Sequence, residues 1–226
     1  MSSLITIELK NIDPEDVGDV LQKVEKSFGF LFGETELKDV KTFGELCDII
    51  TNKVQGDSPN DCTTQQAFYK LRDAITKTLH IDKSSLTVDT RLQDLFLRKH
   101  RREQIKVLES ILGFQTKVLR PKHWVITSLF ILLLASIGGL FFYWQVGLAG
   151  LLLSIVTLQV SDKFGKEFDL TNVGELAEKL AREHYKYVRR NPAAVNKTEI
   201  IQKVKELFIK DLDLEENVLT REATFG

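Results

Sequence analysis

Between Trp124 and Ser161 lie 38 residues without a single Asp, Glu, Lys or Arg, whereas on either side apolar positions recur at helical spacing among charged ones. One helix needs about 20 apolar residues to cross the hydrocarbon core of a bilayer, so a run of this length predicts two short spans. The pattern places them at Trp124–Phe142 and Trp144–Val160, with an aromatic turn at Tyr143, Trp144 and Gln145. Gly138, Gly139, Gly147 and Gly150 are small enough to let the two helices approach closely. Lys117, Arg120, Lys122 and His123 precede the run, and Lys163 and Lys166 follow it. Basic residues at both near ends and none in the turn predict a transmembrane hairpin, with both termini and the remaining chain cytoplasmic. A buried helical pair inside a soluble protein is the competing reading of the same run.

The flanks carry local helix signals. Asp13-Pro14 offers an N-cap followed by proline in the first turn, and Gly29 stands where a helix closes. Between them Val17, Val20, Leu21, Val24 and Phe28 form one apolar stripe. Thr42 and Glu45 make a capping-box pattern ahead of Leu46, Ile49 and Ile50. Asn196 or Thr198 caps a helix carrying Ile200, Ile201, Val204, Leu207 and Phe208. Further helices are expected near 65–80, 100–112 and 172–188.

Comparing the chain with itself reveals three alternating matches. Lys70–Gln93 aligns without gaps on Lys203–Gly226, with apolar pairs Leu79/Leu212, Ile81/Leu214, Leu86/Leu219 and Leu92/Phe225. Val17–Phe30 aligns on Arg101–Phe114, sharing Glu25/Glu109, Gly29/Gly113 and Phe30/Phe114. Phe43–Ile50 aligns on Val173–Leu180, sharing Gly-Glu-Leu. The order of the pieces predicts two similar helical modules. Module B (62–122 and 162–190) is interrupted by the hairpin (123–161). Module A is assembled from both chain ends (1–57 and 195–226), as in a circular permutation. Closure of module A within one chain or between two fits the sequence equally. The joins near Gln55–Thr64 and Arg189–Lys197 carry Gly, Ser, Asn and Pro.

Asp13–Ile50, with its acidic-apolar helix, Phe-containing turn and T-F-G-E-L before the next helix, resembles the second half of acyl carrier proteins. Leu79-His80-Ile81-Asp82, Leu86-Thr87 and Leu92-Gln93-Asp94-Leu95 resemble that family's first helix and long loop. The resemblance implies an all-α fold: two small acyl-carrier-like bundles plus the two-helix transmembrane hairpin. It also implies an attachment serine for phosphopantetheine at the start of the second helix. That position falls on Pro14 in module A and near Arg98 or Lys99 in module B. Ser2 and Ser3 are too far upstream to substitute. Neither module is therefore expected to carry the prosthetic group, and no cofactor, catalytic residue or metal site is expected.

Charge divides along the same line. Residues 1–57 with 196–226 carry a net −8, and residues 58–195 carry +7. The basic run Arg98, Lys99, Arg101 and Arg102 is the candidate contact for lipid headgroups or for an acidic protein partner. The four histidines lack metal-ligand spacing with cysteine or carboxylates, and no phosphate loop or nucleophile elbow occurs. Two unpaired cysteines, Cys47 and Cys62, fit a reducing compartment, Cys47 packing in a helix. Met1–Lys10 is too polar for a cleavable signal. These features predict a non-enzymatic, membrane-anchored protein that binds lipid or a protein partner. The alternatives are a small pore lined by Ser154, Thr157 and Ser161, and a genuine carrier using an unexpected serine.

Overall fold

The computed structural model describes residues 12–54, 62–189 and 196–225. Met1–Lys10, Ser2 and Ser3, most of both joins, and Gly226 lie outside the described residues. Among the described residues the elements are helical apart from one short strand pair. They are α1 (Pro14–Phe28), α2 (Phe43–Lys53), α3 (Thr63–Leu79), α4 (Leu92–Leu95) and α5 (Arg101–Leu112). Then follow β1 (Leu119–Arg120), α6 (His123–Gly139), α7 (Trp144–Phe164), β2 (Glu167–Phe168), α8 (Val173–Glu183), α9 (Tyr185–Val188) and α10 (Lys197–Asp211). The chain forms two compact units, Met1–Lys70 with Ala177–Gly226, and Leu71–Leu176.

In the first unit the apolar stripes meet as one core. Val20, Val24 and Phe28 of α1 join Phe43, Leu46, Cys47 and Ile50 of α2, and Ile200, Val204, Leu207 and Phe208 of α10. The caps form where the side chains allow them. Asp13 accepts from the Glu15 amide at 2.9 Å, Asn196 accepts from the Glu199 amide at 3.2 Å, and Thr42 with Glu45 completes a capping box. Gly29 closes α1 at φ 72°, a left-handed conformation that glycine adopts without steric cost.

The predicted helix over 172–188 is broken between α8 and α9. Ser27 on α1 accounts for the break: its hydroxyl donates to the Arg182 carbonyl at 2.6 Å and accepts from the Tyr185 amide at 3.1 Å. A side chain inserted into the helical ladder in this way ends or kinks the helix.

The internal matches recur as matching backbone bonds. In the first unit the amides of Phe43, Gly44 and Phe225 donate to the carbonyls of Ala223, Arg221 and Lys41. In the second, at the aligned positions, the amides of Val173, Gly174 and Leu92 donate to Thr90, Val88 and Thr171. An isolated bridge joins Thr42 to Thr224, and its counterpart joins Arg91 to Asn172. Glu25 accepts from the Phe32 amide at 2.6 Å, and Glu109 from the Thr116 amide at 2.7 Å. Two pairs of left-handed residues coincide as well: His80 and Asp213 have φ of 55° and 50°, and Gly113 matches Gly29, whereas left-handed Lys117 has no such counterpart. The shared Gly-Glu-Leu has a steric reason. A Cβ at Gly44 would sit 2.8 Å from the Arg221 carbonyl oxygen, and one at Gly174 would sit 3.1 Å from that of Val88.

The transmembrane hairpin is not supported. Among the described residues no helix is long and apolar enough to cross a membrane. The predicted first span, Trp124–Phe142, ends early: α6 stops at Gly139 and covers 17 residues, about 25 Å of rise against about 30 Å of hydrocarbon. The second helix, α7, covers 21 residues but includes Gln145, Thr157 and Gln159 and runs out through Asp162-Lys163. The fold is mainly helical, but the bilayer-crossing part of the predicted fold class is corrected, and with it the integral-membrane, cytoplasm-facing placement. The strand pair was also unforeseen: β1 and β2 are antiparallel, Leu119 opposite Phe168 and Arg120 opposite Glu167.

Candidate functional site

The unusual surface of the second unit is the α6–α7 hairpin. Gly139 faces Gly147, and a Cβ added at Gly147 would come 2.9 Å from the Gly139 carbonyl carbon. At Gly150 an added Cβ would meet Ser136 Cβ at 3.2 Å, so small residues set the close approach of the two helices. Gly138 has open space around its Cβ position and takes no part. Outward from this seam, large apolar side chains point to every side. Ile126, Phe130, Ile131 and Leu134 on α6 are exposed, as are Val146, Leu152, Leu153 and Val156 on α7. The tip is the most exposed of all, with Phe141 87% and Phe142 84% accessible, beside exposed Tyr143 and Trp144.

The hydroxyls of the hairpin do not offset this apolar surface. Those of Thr127, Ser128 and Ser136 donate to His123, Val125 and Leu132 carbonyls of α6 itself. Those of Ser154, Thr157 and Ser161 donate to the Gly150, Leu153 and Leu158 carbonyls of α7. Each is satisfied within its own helix at 2.7–3.0 Å, the arrangement required of a polar group away from water. Ser154 and Ser136 are in addition buried in the seam.

Charge begins where the helices rejoin the folded unit. Arg98, Lys99, Arg120, Lys122, His123 and Lys166 are exposed around the roots of α6 and α7. Arg98 pairs with Glu167 at 2.9 Å, and Arg120 with Asp169 at 2.9 Å. The four predicted contact residues separate. Arg98 and Lys99 are exposed, and Arg102 is half-buried. Arg101 is buried: its Nε donates to the Phe96 carbonyl at 2.9 Å and an Nη donates to that of Lys166. Its guanidinium stacks 4.5 Å from the Phe168 ring centre and lies 3.7 Å from Glu167. Burial lowers its pKa, and the Glu167 carboxylate opposes the shift. Arg101 is therefore an internal strut for β2 and not a contact residue. Periodicity alone does not separate it from its neighbours, because its partners come from a strand about 65 residues away.

The positions where the sequence resemblance would place an attachment serine are occupied differently in the two units. Pro14 opens α1 directly after the capping Asp13. Arg98 lies ahead of α5 with its guanidinium on Glu167. Cys47 is buried and Cys62 exposed, and both are free thiols. Burial pushes the Cys47 thiol up to about 12.

In the first unit, sequence reasoning missed a buried polar cluster. Glu199 accepts from the Thr63 amide at 2.6 Å, the Thr63 hydroxyl at 2.7 Å and the Tyr185 hydroxyl at 3.2 Å. The Arg189 guanidinium lies 3.7 Å from the same carboxylate and donates to the Tyr185 hydroxyl. Desolvation raises the Tyr185 pKa. The carboxylate, both hydroxyls and one Nη of Arg189 engage one another, as expected of a structural tie between α3, α9 and α10.

Compared with family models, curated proteins and solved structures, the chain has no match.

Proposed function

We propose that this protein is a non-enzymatic scaffold that docks on a lipid layer by embedding the α6–α7 hairpin from one face, without crossing it. The observation that carries the reading is the distribution of apolar side chains around the whole hairpin. A partner protein covers one face of a helix, leaving a polar stripe opposite; hydrocarbon surrounds it on all sides. Internal satisfaction of the hairpin hydroxyls supports the same solvent. The uncharged aromatic tip, Phe141 to Trp144, suits a turn that remains within the layer. The basic residues at the roots suit the headgroup level.

The two modules are, on this reading, acyl-carrier-like bundles retained for their shape, since function resides in a site and not in a fold. The carrier likeness rests on the sequence resemblance alone; the matching backbone bonds support only the likeness of the two modules to each other. Pro14 and Arg98 offer no hydroxyl for a phosphopantetheine arm. The modules would then present protein-binding surfaces beside the lipid.

Flotation of the full chain with vesicles of phosphatidylcholine alone tests the docking. The protein is expected to rise with the vesicles and to stay with them in high salt, because apolar burial is not screened. Protein that stays at the bottom as a stable oligomer would show that hairpins cover one another instead, and would overturn the reading.

A further inference from the structure

Resting on the lipid-docking reading, we infer that the crevice at the hairpin root is a binding site for the phosphate of an anionic phospholipid headgroup. The crevice has a volume of about 310 Å³ and lies where α6 and α7 meet the strand pair. Arg98, Lys122, Lys166 and Glu167 line it together with Val125 and Ser161. Among the described residues Glu167 is the one carboxylate in the lining, and it is already balanced by Arg98 at 2.9 Å and by buried Arg101 at 3.7 Å. Lys122 and Lys166 are exposed, and among the described residues neither forms an ion pair.

A second feature points at the same space. The 17-residue α6 starts at His123 beside the lining residue Lys122, with no side chain capping its N-terminus, so the positive end of its dipole adds to the two lysines. The Ser161 hydroxyl is directed to the Leu158 carbonyl, which leaves its oxygen able to accept but not to donate. Recognition of phosphate therefore falls to the two ammonium groups, assisted by the helix dipole. The apolar helices leaving this crevice would place it at headgroup depth, which selects a lipid over a free phosphate ester as the occupant. Choline and ethanolamine lipids carry a compensating cation, and an anionic lipid does not.

The test compares vesicles of phosphatidylcholine with vesicles in which part of it is replaced by phosphatidic acid. Uptake on phosphatidylcholine alone reports the hairpin, and the ratio of the two uptakes reports the crevice. The wild-type chain is expected to favour the anionic vesicles. Lys122→Gln with Lys166→Gln is expected to reduce that preference roughly thirtyfold, with each variant's own uptake on phosphatidylcholine as the reference. Lys26→Gln with Lys38→Gln, which removes the same charge from exposed positions of the first unit, is expected to preserve it. A preference that survives in the crevice variant, or falls equally in the control variant, overturns the assignment. Failure to bind either vesicle overturns the docking reading along with it.

Discussion

Vesicle uptake is expected to fall at least about a thousandfold when Phe141 and Phe142 are both replaced by aspartate, since each charge at hydrocarbon depth costs about 2.5–3.5 kcal/mol. The two rings are the most exposed large apolar groups at the tip, so the substitutions remove no packing from the folded units. Helical content and unfolding midpoint should therefore match the wild type, which separates a loss of docking from a loss of fold. Flotation with phosphatidylcholine vesicles measures the effect. Uptake within a few-fold of wild type would mean that the tip never enters the lipid, and that the roots alone hold the surface.

Glu199→Ala is expected to cost about 3–5 kcal/mol of stability, the largest single loss in the first unit. The side chain of Arg189 is 1% exposed and that of Glu199 is 11% exposed, so neither charge has water to fall back on. Removing the carboxylate leaves the guanidinium uncompensated and strips three hydrogen bonds from Thr63 and Tyr185. The Arg189 Nε and one Nη already lack partners among the described residues, so the arginine has no second acceptor to turn to. Glu199→Gln, which retains an acceptor without the charge, should lose less. Arg189→Met with Glu199→Leu should recover part of the loss, because a buried apolar pair replaces a costly ionic one. Urea unfolding of the full chain reads all three; a loss below about 1 kcal/mol for Glu199→Ala would place it among surface ion pairs.

The parts of this molecule written in local signals are legible in its sequence. Asp13, Thr42, Asn196 and Gly29 mark helix ends because capping needs only residues within a turn of one another. The out-of-order repeat is legible because Gly44 and Gly174 are each held small by a backbone carbonyl at matched positions. The parts that depend on distant partners are not. Nothing near Arg101 in the sequence distinguishes it from exposed Arg98, since burial comes from Phe168 and the Lys166 carbonyl. The break at His184 is set by Ser27, 155 residues from the carbonyl it holds. The length of the charge-free run was misleading for a related reason. A count of apolar residues does not reveal that α6 would end at Gly139 and give four residues to a turn, which shortens the first arm of the hairpin.

Depth is the property that most directly separates a hairpin embedded from one face from a crossing one or a merely adsorbed one. It is read by placing a cysteine at the tip, Gln145→Cys, in the otherwise unchanged chain bound to vesicles. The exposed Cys62 supplies the reference, and the buried Cys47 thiol, held up to about 12, stays silent at neutral pH. A membrane-impermeant maleimide added outside should label Cys62 but not position 145, and the same reagent trapped inside the vesicles should label neither; detergent should expose position 145. Labelling of position 145 from inside would mean that the hairpin crosses the layer, and labelling from outside would mean that it never enters.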